Sequence, residues 1–598
     1  MSREPAKLKS APPPSKGDAA KNEAAKSDPA KTPAPSHGDS MARTIRETIE
    51  SIVIAFVLAF LFRTFEAEAF VIPTGSMAPT LQGRHRNVEC PKCHYWYRST
   101  ASSEVNESGQ PIKDQEVTEV TCPMCRFPLG VDPRTESGDD YPAYNGDRIL
   151  VAKFPYDLGD PERWDVVVFH FPYDAKINYI KRLVGKPNET IRIKHGNLFA
   201  AGQGEEEFHI LRKPPAKVRA MAQIAYDNDY VSQQLLEAGW PERWQAQPTA
   251  AQPSAADWLS TDERGFRVDA NGSSTWLRYR HTVPGESDWR LIAQGKLPAD
   301  YRVLPELITD FYAYDSSILR DPQLNDTQKT VGLHWVGELM MECELDISFD
   351  EGSDTPKVVL DLVEGGVHCR CSIDAETGKA TLSIDGLPDY QPTASTSITG
   401  PGTYRLAFSN FDDELLLWVN DKVVEFDAPT TYAGIDNQYP QSTPEDEGDL
   451  APAGIQVEGM SATVRHLRVL RDIYYIATDS THETRVISDY LTDFLQRRSI
   501  DDLRQFWSTP SKWTGRNNPF DARETVTFEL AEDQFFVLGD NSPQSSDARL
   551  WKAPPYVERK LLIGKALFIY WPASYGKLPG TNLPFPFFPN FSSMGFVR

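Results

Sequence analysis

One serine, two lysines and four cysteines in this chain have the types and spacing to do chemistry. Ser76 lies in "IPTGSMAPTL" (72–81), between glycine and methionine and three residues before a proline. A serine hydroxyl is a weak nucleophile until a neighbouring base takes its proton. A lysine can be that base once burial lowers its pKa from about 10.4 towards 7 or 8. Two lysines lie in apolar, strand-like runs, Lys153 in "RILVAKFPY" and Lys181 in "NYIKRLVG". Periodicity does not choose between them, and either could equally point into solvent from a half-buried strand. Cys90, Cys93, Cys122 and Cys125 form a C-x2-C-x28-C-x2-C array, in which each knuckle offers two thiolates to one tetrahedral ion. Four thiolates leave no open position, so the expected zinc is structural. Two disulfides are the rival in an oxidising compartment.

The surrounding chain must position these groups. With 598 residues, 40% of them hydrophobic, it is long enough for several domains. Its net charge of −23 gives no attraction for a nucleic-acid backbone, so nucleic-acid binding is excluded as a first reading. Residues 1–43 are rich in Ala, Pro, Lys and Ser and read as a disordered cytoplasmic tail. Residues 44–70 read as one transmembrane helix built on the uncharged run from Ser51 to Phe62. The run itself is short, and the span needs both flanks. Lys and Arg residues ahead of it keep the N-terminus inside, which leaves everything after about residue 70 outside. From there the texture is that of strands: "RILVAKFPY", "DVVVFHF", "NYIKRLVG" and "ETIRIKHGNLFA" are short β-branched and aromatic runs broken by Pro, Gly and Asp.

Five stretches, "IPTGSMAPTL", "GDRILVAKF", "WDVVVFHFP", "YIKRLVGKPNE" and "VLGDNSPQSSDARLW", resemble in order the sequence boxes of the bacterial type I signal peptidases. These are membrane-bound Ser/Lys proteases that remove signal peptides. The resemblance implies Ser76 as nucleophile, Lys181 as general base and Ser545 as the hydroxyl that orients the lysine amine. It implies an oxyanion hole from Thr74 and the Ser76 backbone N–H, and supporting ion pairs among Arg182, Asp540, Asp547 and Arg549. It further implies a bacterial inner-membrane protein with an extracytoplasmic catalytic body, acting on the signal peptides of exported preproteins beside a lipid bilayer, with no cofactor for catalysis. No substrate-binding residues are singled out. The reading "VGKPNE" at 184–189 departs from the family's usual "VGLPGD" and predicts a changed turn. Two alternatives are a dedicated Ser/Lys protease with few substrates and a non-catalytic membrane-anchored binding protein.

The boxes cover under a third of the chain, and the rest reads as insertion. The catalytic body is expected at 71–81 and 146–201, then again at 531–598. Residues 82–145 are the four-cysteine, zinc-ribbon-like module. Residues 202–475 read as a β-sandwich, similar to laminin-G or concanavalin-like jelly rolls, from alternating runs such as "YRLAFSNFDDELLLWVNDKVV". A glycan or a protein is the class of ligand such a fold raises. The sandwich is expected to recruit or to space, with no part in bond cleavage, and Trp335 and Trp418 to be core. Residues 476–530 read as a helical return segment. The fold class is therefore mainly β.

Overall fold

The computed structural model describes residues 37–61, 67–588 and 590–598, apart from 107, 248–257, 262–263, 271–273, 296, 326–329, 351–355, 482–486, 491–498, 515–517, 573–574 and 578–583. The chain forms two units, Met1–Arg63 and Thr64–Arg598. In the first, one helix runs His37–Leu61. Most of the expected tail lies outside the described residues. Among the described residues no helix is long and apolar enough to cross a membrane. The helix expected over 44–70 also ends early. Ala67–Val71 is a strand, its backbone paired antiparallel with Arg148–Ala152 from Ala67 opposite Ala152 to Val71 opposite Arg148.

In the second unit an eight-stranded antiparallel sheet carries the boxes. Its order is Ala67–Val71, Arg148–Ala152, Leu562–Trp571, Val166–Phe171, Asp174–Gly185, Gln534–Leu538 and Val557–Glu558, with Gly595–Phe596 also paired to Leu562–Trp571. The continuous apolar run of "VVVF" is what burial on both faces requires. Val166 and Val168 enter a core with Ile72, Met77 and Leu81, while Val167 and Phe169 enter another with Leu183 and Leu538. Strand Asp174–Gly185 starts exposed and becomes buried from Lys181 onward. It continues through the altered turn, where Asn188 adopts the left-handed conformation at φ 62°. Asn tolerates that conformation better than most residues with a side chain. There the Glu189 carboxylate accepts the Lys186 N–H at 2.8 Å and pairs with Arg163 at 2.7 Å. Glu189–Lys194 then joins a smaller sheet with Asn197–Gly202 and Thr525–Glu529.

Two further sheets, of eight and seven strands, form the expected sandwich. Leu339–Ser348 and Ser461–Arg471 lie adjacent in one, Lys357–Glu364 and Ala453–Glu458 in the other. Their alternating inward residues share one core that includes Leu345, Leu360, Phe408 and Ile455. Trp335 and Trp418 are buried, as core residues should be. In the return segment only Ile500–Trp507 is α-helical among the described residues, opened by a capping box between Ser499 and Asp502, and two short 3-10 turns follow at Pro510–Lys512 and Pro519–Ala522. Residues 487–490 are not helical, and the rest of the long helix-like run lies outside the described residues.

Candidate active site

Ser76 sits on a tight turn directly after the edge strand, and Lys181 on the strand whose second half is buried. Lys181 Nζ lies 2.8 Å from Ser76 Oγ and donates to Ile180 O at 2.9 Å. Both residues are buried, Ser76 being 7% and Lys181 4% exposed. Burial disfavours the ammonium and brings the Lys181 pKa down to about 8, against the opposing pull of Asp547 and Asp540. Lys153, the lysine that periodicity alone could not set aside, instead pairs with Glu68 at 2.7 Å in a partly exposed position. The structure thus brings Lys181, and not Lys153, to the serine.

Two arginine–aspartate pairs frame this contact. Arg182 forms a bidentate pair with Asp540, 2.6 Å at each oxygen, and donates to Trp164 O at 2.8 Å. Thr80 Oγ1 donates to Asp540 Oδ2 at 2.5 Å, which ties the pair to the nucleophile turn. Arg549 binds Asp547 at 2.8 and 2.9 Å, and Asp547 accepts the Gly539 N–H at 3.0 Å. All four charges are fully buried, where unpaired ions would be costly, so the pairs keep the elements around Ser76 in register.

Ser545 is buried, and its Oγ makes no hydrogen bond among the described residues, the Lys181 amine included. It does crowd the site: a Cβ on Gly539 would stand 2.2 Å from Ser545 Oγ and 2.4 Å from Ser76 O. Thr74 is exposed. A residue the sequence reading missed is Asn541, whose N–H donates to Ser76 O at 3.1 Å and whose Nδ2 donates to Gly75 O at 3.1 Å. Its place in "GDNS" was the available signal, but an asparagine beside a turn is too common to single out.

A second constellation has triad order. His334 Nδ1 lies 2.6 Å from Asp310 Oδ2, and Nε2 lies 3.0 Å from Ser488 Oγ. Burial lowers the His334 pKa, but the carboxylates of Asp310 and Asp489 outweigh it and the net direction is upward. That shift favours the charged ring, which has protons on both nitrogens and is the poorer base for Ser488, and Ser488 is only 1% exposed. Stacked between Tyr474 and Tyr490, this histidine is part of the packing.

The four array cysteines come together in one buried cluster, all sulfurs within 4.8 Å of one another. Cys90 and Cys125 are 3.5 Å apart, as are Cys93 and Cys122, far longer than the disulfide length of about 2.05 Å. The two knuckles repeat one turn: His94 N donates to Cys90 O and Arg126 N to Cys122 O, with φ 62° at His94 and 53° at Arg126. His94 points away into solvent. Cys343, Cys369 and Cys371 are buried free thiols.

Segments of the chain are similar to known proteins. The family described as signal peptidase, peptidase S26, matches residues 45–108, 135–237 and 470–571. The intervals, 109–134 and 238–469, are narrower than the insertions read from sequence. A probable signal peptidase I-1 of Synechocystis sp. is 25% identical over 184 residues, 30% of this chain and 62% of that one. Signal peptidase I of Pseudomonas aeruginosa is 44% identical over 71 residues, 10% of this chain and 25% of that one. Signal peptidase I of Leptolyngbya laminosa is 29% identical over 189 residues, 29% of this chain and 62% of that one. The chain thus spans less than two thirds of the length of each of these relatives. Among solved structures, a carbohydrate-binding module from Bacillus subtilis covers 38% of this chain and 94% of its own, at 10% identity and a TM-score of 0.20, a likeness too slight to carry an argument. Through its three matched segments the chain is similar to the signal peptidase family, peptidase S26.

Proposed function

We propose that the chain is a type I signal peptidase, a serine endopeptidase that removes N-terminal signal peptides from exported preproteins. The observation that carries this is the 2.8 Å contact between Ser76 Oγ and a buried Lys181 amine whose pKa is brought down to about 8. Neutral Lys181 takes the hydroxyl proton as Ser76 attacks the scissile carbonyl. The resulting ammonium returns the proton to the leaving amine, and the neutral amine then activates the water that releases the acyl enzyme. The Ser76 N–H and Thr74 hold the developing oxyanion, and Ser545 steadies the amine once substrate excludes water. Arg182, Asp540, Asp547 and Arg549 act as supports. Substrate lies extended against an exposed strand edge.

The helix His37–Leu61 is part of a single inner-membrane anchor that leaves the catalytic body extracytoplasmic. In support, the closely spaced apolar residues Ile52, Val53, Ile54, Phe56 and Val57 are all exposed. The four-cysteine cluster fits one zinc ion. Zinc–sulfur bonds of about 2.3 Å in a tetrahedron place sulfurs about 3.8 Å apart, close to the spacing of the cluster. Cys90, Cys93, Cys122 and Cys125 would hold the ion, whose role is to close the module. The sandwich would take a glycan or a protein ligand.

The test is cleavage of a preprotein by the purified full chain in detergent micelles. Release of the mature N-terminus by the parent and its loss in Ser76→Ala support the reading. Cleavage retained in Ser76→Ala overturns it.

A further inference from the structure

Gly75, the residue before the nucleophile, has no room for a side chain: a Cβ there would stand 2.1 Å from Cε1 of Tyr314. Tyr314 is buried and lies in 238–469, outside the residues that match the peptidase family. The next residue, Asp315, accepts a hydrogen bond from Asn541 Nδ2 at 2.8 Å. That Nδ2 is also the donor to Gly75 O, and the Asn541 N–H serves Ser76 O. A carboxylate at Asp315 decides which way the amide faces. It needs a donor, so the NH2 end of Asn541 must turn towards both Asp315 and Gly75 O, where the amide oxygen would repel both.

The segment carrying these two residues is pinned from both sides. From the sandwich, Arg471 Nη2 donates to Asp310 O at 2.9 Å and to Phe311 O at 3.2 Å. From the cysteine module, Thr121 N donates to Ser316 Oγ at 3.0 Å, and Ser317 Oγ donates to Thr100 O at 2.8 Å. Ile318–Leu319 even adds a strand to the module by pairing with Val117–Thr121. Residues 310–319 therefore join the two insertions at the back of the nucleophile turn.

We propose that Tyr314 and Asp315 are positioning residues of the peptidase, supplied by the sandwich insertion. Asp315 fixes the Asn541 amide that holds the Gly75 and Ser76 carbonyls, and Tyr314 packs the turn so that Ser76 Oγ stays within reach of Lys181. This rests on the Ser76–Lys181 reading above. It replaces the expectation that the sandwich has no part in bond cleavage.

The test is steady-state cleavage of a signal-peptide substrate by variants of the full chain, with Ser76→Ala in the same series. Asp315→Ala should lower kcat by roughly ten- to a hundredfold and leave KM within about threefold, because it displaces the nucleophile without touching substrate. Asp315→Asn, which keeps an oxygen acceptor, should recover kcat to within about threefold of the parent. Gly75→Ala should lose about a hundredfold or more, and adding Tyr314→Ala should restore at least about tenfold of that loss, as expected for two residues that share one space. A folded Asp315→Ala with kcat within about twofold of the parent, or equal losses in Asp315→Ala and Asp315→Asn, overturns the proposal. Should Asp315→Ala fail to fold, a Gly75→Ala/Tyr314→Ala protein no more active than Gly75→Ala overturns it instead. Activity surviving in Ser76→Ala would bring down the Ser76–Lys181 reading itself, a separate outcome.

Discussion

Lys181 Nζ stands 2.8 Å from Ser76 Oγ and makes its other hydrogen bond to a main-chain oxygen, Ile180 O, so no carboxylate touches the amine. Asp540 and Asp547 are each bound by arginine instead. With the pKa brought down to about 8 by burial, kcat/KM should climb about tenfold per pH unit on the acid side and level off above about 8. A pH–rate profile with no inflection between about 7 and 9 would remove Lys181 as the base.

The same burial makes a statement about stability. The folded state holds this proton less tightly than the unfolded chain, where lysine titrates near 10.4, so below the folded value the full penalty is present. It is relieved as pH rises from about 8 to about 10.4, and over that window Lys181 makes stability increase by roughly 3 kcal/mol. Lys181→Met should therefore abolish cleavage and, at pH 7, raise the melting temperature. Thermal unfolding measured beside activity checks both, and a marked fall in melting temperature would contradict a buried ammonium.

Ser76→Ala and Lys181→Ala should each reduce turnover by about four orders of magnitude or more, and the double variant should be little worse than either, since the members of such a pair act as a unit. Lys153→Ala should change kcat by less than about threefold, because it removes only a partly exposed ion pair with Glu68. Single-turnover cleavage of a labelled peptide separates these cases.

Gly539→Ala should be more damaging than Ser545→Ala. The added methyl would meet both Ser545 Oγ and the Ser76 carbonyl at well under contact distance. We expect a loss of at least about a hundredfold in kcat for Gly539→Ala and roughly tenfold for Ser545→Ala, with a normal melting temperature for the latter.

Asp540→Ala strands a fully buried guanidinium on Arg182 and should destabilise the protein by about 3–5 kcal/mol. Replacing Arg182 by Met in the same protein should recover a good part of that loss. Chemical denaturation of the single and double variants measures the recovery. A double variant less stable than Asp540→Ala would show that Arg182 does more than answer one carboxylate.

Metal analysis of the purified protein should return about one zinc per chain, and the array cysteines should titrate as free thiols after denaturation and chelation. Because residues 316–319 lean on this module, stripping the metal should also lower peptide cleavage. Recovery of the four sulfurs as disulfides would instead give the module a covalent frame.

Much of the site was legible in the sequence because its parts are local. The turn around Ser76 and the Cys-x2-Cys knuckles each announce themselves within a single short stretch. The choice between Lys153 and Lys181 was not local. Both sit in apolar strands, so the choice of Lys181 came from the resemblance of "YIKRLVGKPNE" to a family box, and sheet order supplies its physical reason. The helix read over 44–70 overran into Ala67–Val71 because a run of apolar residues has the same composition in either element until its partner strand is known. Tyr314 and Asp315 were illegible for a similar reason: their meaning comes from contacts with Gly75 and Asn541, both far away along the chain.

The hydrogen bond from Asn541 to the Gly75 carbonyl joins residues 466 positions apart. A chain delivered from its N-terminal end presents Ser76 early and Asn541 almost last, with the sandwich in between. Until that final stretch arrives, the nucleophile turn lacks the amide that holds it and Arg182 lacks its aspartate. Partly made copies thus carry Ser76 without the groups that hold its turn, and the arrangement around it is complete only once both stretches are present.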